Sequence, residues 1–214
     1  RQQKQASLCF YGPPGTGKTA LGRHLAEALD KPLMVKRASD LLDKWVGASE
    51  KNIAAMFYEA EQEGAILLLD EADSFLSDRR EARQHWEVTQ TNELLTRMEE
   101  FEGIFICTTN LLDQLDPAAL RRFDFKVRFD FCNIEQRHDL FADLLAAFGL
   151  NEVDFDLLAR LDRMNNLTPG DFAVAARQWR TRTDQPTPSH LLKTLEEESA
   201  LKGGRASAIG FHHS

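Results

Sequence analysis

An α/β fold on a parallel sheet is predicted by three features of this 214-residue chain. Apolar runs of strand length alternate with helix-length amphipathic stretches over roughly the first 130 residues. The glycine-rich stretch Gly12-Pro13-Pro14-Gly15-Thr16-Gly17-Lys18-Thr19 lies between the first strand and the first helix. After residue 131 the strand patterns stop and only helical ones follow. The expected architecture is a parallel five-stranded sheet flanked by helices over 1–132, a small all-helical lid domain over 133–202, and a flexible tail over 203–214.

The elements follow in order. Leu8-Cys9-Phe10-Tyr11 is a short apolar run that ends at a glycine, the mark of a buried strand. Further strands are expected at 33–36, 65–69, 104–108 and 127–131. Helices are expected between them at 18–29, 50–63, 88–100 and 117–122. This alternation predicts a sheet covered on both faces, with functional groups at the carboxyl ends of the strands. Residues 77–87 are charged and weakly patterned, either a loop or the frayed start of the next helix. The lid helices are expected at 134–148, 156–164, 169–179 and 189–201.

Composition narrows the function. A hydrophobic content of 43% supports a substantial core. The net charge of −8 argues against broad affinity for nucleic acid or anionic membrane. No apolar run is long enough to span a bilayer, no signal peptide is visible, and a cytoplasmic location is expected. The first residue is Arg1 and not Met, which leaves open a native start upstream of it. Three cysteines, Cys9, Cys107 and Cys132, have no C-x-x-C spacing and are expected as buried thiols. H-E-x-x-H is absent as well.

The glycine stretch has the form G-x-x-x-x-G-K-T in the strand–loop–helix context that a phosphate-binding loop requires. Its glycines let successive N–H groups turn toward one anion, and the helix N-terminus adds partial positive charge. Gly12, Pro13, Pro14, Gly15, Thr16, Gly17, Lys18, Thr19 and Ala20 are therefore expected to hold the phosphates of a nucleotide. Lys18 is expected on the β- and γ-phosphates and the Thr19 hydroxyl on Mg²⁺. Ile66-Leu67-Leu68-Leu69-Asp70-Glu71 is an apolar strand ending in adjacent carboxylates. Asp70 suits Mg²⁺, usually through water, and also belongs to the nucleotide-binding set. Glu71 suits orientation or deprotonation of an attacking water. Asn110 ends another core strand and is expected to hydrogen-bond either the γ-phosphate or that water.

With these motifs the chain resembles the ATPase core of the AAA+ superfamily, in particular its classical AAA clade, over nearly its whole length. The glycine loop matches Walker A, Ile66–Asp73 matches Walker B, and Asn110 occupies the sensor-1 position. The segment from Thr108 to Asp124 is similar to the second region of homology. That resemblance implies that the nucleotide is ATP, and that an arginine reaches into a neighbouring subunit's ATP site. The clade usually separates its two arginines with Pro-Gly, whereas Arg121 and Arg122 are adjacent here. On a helix such neighbours diverge by about 100°. Arg121 is favoured for the γ-phosphate side, with Arg122 as second candidate. Leu167-Thr168-Pro169-Gly170-Asp171-Phe172 is similar to sensor-2, which implies that Gly170, Asp171 and the helix start lie against the nucleotide. Lys44-Trp45-Val46-Gly47 matches the family's aromatic–hydrophobic–glycine pore loop. A tryptophan is normally core, but a large aromatic can also grip a polypeptide of any sequence.

The resemblance implies a homo-oligomer, a hexameric ring, with this stretch alone as a possible monomer, acting on protein substrates. Its expected function is an ATP-hydrolysing machine that remodels or unfolds proteins by threading them through a ring pore. Two other classes stay open: a nucleic-acid motor or loader, and a nucleotide-gated scaffold. The Trp45 segment and acidic balance disfavour nucleic acid as a partner, and Glu71, Asn110 and Arg121 disfavour a pure binder. Classical members carry a separate N-terminal recruitment domain, and none is expected within these residues.

Overall fold

A computed structural model describes residues 5–42, 47–77, 85–111, 115–150 and 154–202. Residues 1–13 with 17–129 form one compact unit, and 14–16 with 130–214 form a second.

The first unit holds β1 (Ala6–Tyr11), β2 (Leu33–Arg37), β3 (Ile66–Asp70), β4 (Ile104–Thr109) and β5 (Phe125–Arg128). They form one sheet in the order β2-β3-β4-β1-β5, parallel at every pairing. Parallel neighbours need crossover connections, and helices supply them. These include α1 (Lys18–Ala28), α3 (Ala48–Glu63) and α5 (His85–Glu100). Because side chains alternate along a strand, β1 to β4 each feed two cores. Cys9, Leu67, Leu69, Phe105 and Cys107 join Ile53 and Phe57 of α3 and Leu94 and Met98 of α5. Phe10, Ile66, Leu68 and Ile106 pack on the other side with Leu21, Leu25 and Ala26 of α1. Burial on both faces is why β3 reads as an unbroken apolar run instead of an alternating one.

Several boundaries differ from expectation for physical reasons. The fifth strand lies at Phe125–Arg128, ahead of the expected 127–131. Its register with β1 runs from Leu8↔Phe125 to Tyr11↔Arg128, and β1 stops where the glycine loop begins. Phe129 donates one more bond to the Tyr11 carbonyl at 2.8 Å, after which the strand has no partner. Its start is fixed by Asp124, whose carboxylate accepts from the Ser7 N–H at 2.8 Å and the Ser7 hydroxyl at 2.9 Å. The helix expected at 117–122 ends sooner, as α6 (Pro117–Leu120), with Arg121 as its C-cap. Two four-residue helices, α2 (Ala38–Leu41) and α4 (Asp73–Leu76), were not expected. One turn is too short to show a helical period. Helix α5 begins at His85, while 78–84 lie outside the described residues, as does the expected tail at 203–214.

The second unit carries α7 (Ile134–Ala146), α8 (Phe155–Leu161), α9 (Pro169–Arg180) and α10 (Pro188–Lys202). Asn133 and Gln136 form a capping box that starts α7, and Thr168 with Asp171 forms another that starts α9. The core contains Phe141, Leu145, Leu161, Phe172, Trp179 and Leu192. The Trp179 indole N–H donates to Thr194 Oγ1 at 3.0 Å, so its polar end is satisfied in the apolar interior. Arg160 makes a bidentate pair with Glu196 at 3.0 and 2.9 Å and ties α8 to α10. Among the described residues, no helix is long and apolar enough to cross a membrane.

Candidate functional site

The carboxyl ends of β1, β3 and β4 lie side by side and bring three distant segments together. Gly12 leaves β1 with φ 142°, and a Cβ there would lie 2.2 Å from the Phe129 carbonyl oxygen. Only glycine fits this close approach, which lets the chain turn sharply out of the sheet. The loop runs into α1, whose N-cap is Gly17. No side chain caps this helix and no acidic residue lies in its first turn. Its leading N–H groups therefore keep their capacity to bind an anion.

Lys18 opens α1 and is buried. Its Nζ donates to the Gly12 and Pro13 carbonyls, each at 2.8 Å, and to Asn110 Oδ1 at 3.0 Å. All three acceptors are neutral. Burial lowers the Lys18 pKa from the usual 10.5, while the negative charges of Asp73 and, to a smaller extent, Asp70 act to raise it. An anion brought to this ammonium would restore what burial removes.

Thr19 donates its hydroxyl hydrogen bond to Asp70 Oδ1 at 2.9 Å. The same oxygen accepts from Thr108 Oγ1. This oxygen-only donor set suits a hard cation such as Mg²⁺, which prefers carboxylate, hydroxyl and water. Glu71 follows with φ 57°, a left-handed conformation rare for a residue with a side chain. Two bonds hold the strained turn. The Glu71 N–H donates to Thr108 Oγ1 at 3.1 Å, and the Ala72 N–H donates to the Thr108 carbonyl at 2.8 Å. Glu71 is thereby turned out of the strand and exposed. Strain of this kind gathers where a side chain must point in a particular direction.

Lys18, Thr19, Asp70 and Asn110 are thus joined to one another or to the loop by direct hydrogen bonds, and Glu71 is the next residue along the strand end. Three residues at this edge were not singled out from the sequence: Thr108, Thr109 and Asp73. Thr108 donates to the Asp70 carboxylate and accepts from the Glu71 backbone N–H, so one hydroxyl braces both residues. Two hydroxyls ending the apolar run Ile104–Cys107 were the available signal, since a buried strand has no packing use for them.

The remaining expected residues fall elsewhere. Arg121 and Arg122 are exposed, and among the described residues neither hydrogen-bonds to Lys18, Asp70, Glu71 or Asn110. Arg122 lies 3.5 Å from Glu99. Ala20 is exposed in the first turn of α1. Pro14, Gly15 and Thr16 group with the second unit. There the Gly170 N–H donates to the Gly15 carbonyl at 2.9 Å, and a Cβ on Gly170 would lie 3.0 Å from Gly15 Cα. Asp171 is buried, and its Oδ2 accepts from the Thr168 N–H, the Thr168 hydroxyl and Lys202 Nζ. Gly47 is the N-cap of α3, while Lys44, Trp45 and Val46 lie outside the described residues. The three cysteines are free and buried; burial pushes the Cys9 thiol up to about 12 and raises the Cys107 thiol well above its ordinary value.

The chain is similar to known proteins. The model of the ATPase family associated with various cellular activities (AAA) matches residues 8–131. The 26S proteasome subunit RPT4 of Saccharomyces cerevisiae is 32% identical over 210 residues, covering 91% of this chain and 48% of that protein. The ribosome biogenesis ATPase RIX7 of the same yeast is 30% identical over 80% of this chain and 22% of its own length. Spastin of Drosophila mojavensis is 32% identical over 74% of this chain and 22% of its own length. The chain thus spans less than half the length of these relatives. A chain of the E. coli MS115-1 HORMA:CdnC:Trip13 complex superposes with a TM-score of 0.72 at 20% identity. That match covers 91% of this chain and 74% of the other, a likeness of fold.

Proposed function

Because the chain belongs to the AAA family of ATPases, we propose that it is the ATP-hydrolysing core of a ring-forming machine that remodels or unfolds protein substrates. The observation that carries this reading is the gathering of Lys18, Thr19, Asp70, Glu71 and Asn110 at one sheet edge beside the uncapped start of α1. The loop N–H groups and Lys18 bind the phosphates. Thr19 and Asp70 hold Mg²⁺, which when bound neutralises charge on the β- and γ-phosphates. Glu71 takes a proton from, or orients, the attacking water, and its outward turn at the strand end gives it access to solvent. Asn110 hydrogen-bonds the γ-phosphate or that water. Arg121, exposed and without an ion pair among the described residues, reaches the ATP of a neighbouring subunit in the ring, where it stabilises charge on the transferring phosphoryl group. Gly170 and the start of α9 lie against the nucleotide, and Asp171 acts by capping that helix.

The substrate end of the reading rests on Lys44-Trp45-Val46-Gly47 and on the relatives, one of them named as a proteasome subunit. Trp45 grips the polypeptide in the pore, and ATP turnover moves it. Two variants in the assembled ring test the reading together. Glu71→Gln binds ATP with wild-type affinity and hydrolyses it about 10²–10⁴-fold more slowly. Trp45→Ala keeps basal hydrolysis and loses unfolding of a tagged protein. Wild-type turnover in Glu71→Gln would remove Glu71 from the chemistry. Wild-type unfolding by Trp45→Ala would remove the threading role from its chief residue.

A further inference from the structure

Among the described carboxylates that end β3 or directly follow it, the proposed mechanism gives Asp70 and Glu71 a task and leaves Asp73 without one. It begins α4, two residues beyond Glu71. It is not that helix's cap: the N-cap is Ala72, and no side-chain cap bond is made. Its Oδ1 is turned instead toward the end of β4. There it accepts from the Thr109 hydroxyl and from the Asn110 backbone N–H, the latter at 2.8 Å. The Thr109 hydroxyl also accepts from the Leu111 N–H at 3.1 Å. Both N–H groups of the turn that carries Asn110 therefore end on one connected pair, Asp73 and Thr109.

Asn110 needs such a tether. The pairing of β4 with β1 ends at Tyr11↔Thr109, so Asn110 lies one residue past the ladder and is exposed. Beyond the Gly12 N–H, which donates to the Thr109 carbonyl at 3.3 Å, no backbone bond among the described residues ties this turn to the sheet. Its side-chain oxygen nevertheless meets Lys18 Nζ at 3.0 Å. Hydrogen bonds to a carboxylate are roughly twice as strong as neutral ones, so Asp73 is a firm anchor for an otherwise loose turn.

We infer that Asp73 is a positioning residue: together with Thr109 it holds the turn that aims the Asn110 amide at the Lys18 side of the site. The inference deepens the role proposed for Asn110 and rests on it. Its test is a double-mutant cycle with Asp73→Ala, Asp73→Asn, Asn110→Ala and Asp73→Ala/Asn110→Ala. Steady-state hydrolysis is measured in the assembled protein, and amide hydrogen exchange at residue 110 in the nucleotide-free chain. Asp73→Ala should lower kcat on the order of 10²-fold, the scale of a catalytic group displaced by about an ångström. KM should move little, because an interaction made mainly in the transition state has been disturbed. Asp73→Asn keeps an acceptor oxygen and should recover most of the loss. The double variant should be no slower than Asn110→Ala alone, and the residue 110 amide should exchange faster in Asp73→Ala.

Unchanged kcat in Asp73→Ala, or losses that multiply in the double variant, would overturn the inference. If Asn110→Ala alone is fully active, the proposed role of Asn110 fails, and the exchange measurement still shows whether Asp73 holds the turn. Should Asp73→Ala not fold, Thr109→Val carries the same test. It removes the donor to Asp73 and the acceptor for Leu111, and should give a smaller kcat loss with faster exchange at residue 110. Wild-type kcat and exchange in that variant would count against the inference equally.

Discussion

Lys18 and Lys202 are both lysines at helix ends, yet their surroundings are opposite. Lys18, at the start of α1, donates to two backbone carbonyls and an amide oxygen, all neutral. The carboxylates near it are occupied: Asp70 by Thr19 and Thr108, Asp73 by Thr109 and Asn110. Lys202, at the end of α10, lies 2.5 Å from the buried Asp171 carboxylate, which also accepts from Thr168. In the helical unit a charge meets its opposite and the pair closes. At the sheet edge a charge is held in place without a counter-charge in direct contact. The first arrangement binds two helices together; the second suits a ligand that brings its own negative charge.

The largest effect that tests this contrast is Lys18→Met. A side chain of similar length without charge should abolish ATP binding and turnover in a titration with labelled ATP. It should leave the melting temperature of the nucleotide-free protein unchanged or slightly higher, because a buried charge without an ion pair has been removed. A marked drop in melting temperature would show that Lys18 is structural, and the two lysines would then not differ as argued.

Lys202→Met should behave the other way. It strands the Asp171 carboxylate, which is 5% exposed, with only its own cap for company. Loss of one partner to a buried polar group costs about 1–3 kcal/mol, and the partial exposure of Lys202 places the expected cost toward the lower end. Chemical denaturation of the two variants side by side measures this. ATP affinity in Lys202→Met should fall far less than in Lys18→Met. If it falls as far, the α9 start depends on Lys202 for binding as well as for stability.

The same contrast explains what could be read from the chain and what could not. The glycine loop was legible because its chemistry lies in consecutive residues, Gly12 to Thr19. β3 was legible because Ile66–Leu69 is apolar on both faces. Asp73 and Thr108 were not, since their partners are reached through bonds spanning 37 and 38 residues that no local period encodes. The pairing of Lys202 with Asp171 spans 31 residues and was equally hidden. The end of β5 depended on where β1 runs out, a property of the neighbouring strand rather than of residues 125–131. α2 and α4 are single turns held by tertiary packing, with Ala38, Leu41, Phe75 and Leu76 buried.

The smallest predicted effect is a pH dependence, and its sign follows from burial at Lys18. Burial is the largest influence on this group and lowers its pKa from 10.5. Between the lowered value and 10.5 the unfolded chain binds more protons at this position than the folded chain does. Unfolding free energy then rises with pH across that window, because stability increases wherever the unfolded state holds the extra proton. Below the window Lys18 is charged in both states and its burial is a constant handicap. Near 10.5 the folded ammonium has given up its proton and the handicap is gone. Other groups titrate in the same range, so the quantity to measure is the difference in stability between wild type and Lys18→Met, in which they cancel. As pH rises from below the lowered value toward 10.5, that difference should move in favour of the wild type in the absence of nucleotide. With saturating ATP the phosphates supply the missing negative charge and raise the pKa again, so the wild type's gain should shift to higher pH. A flat nucleotide-free difference would mean that the carbonyls of Gly12 and Pro13 solvate the ammonium as well as water does. Lys18 would then be as settled in its site as Lys202 is beside Asp171.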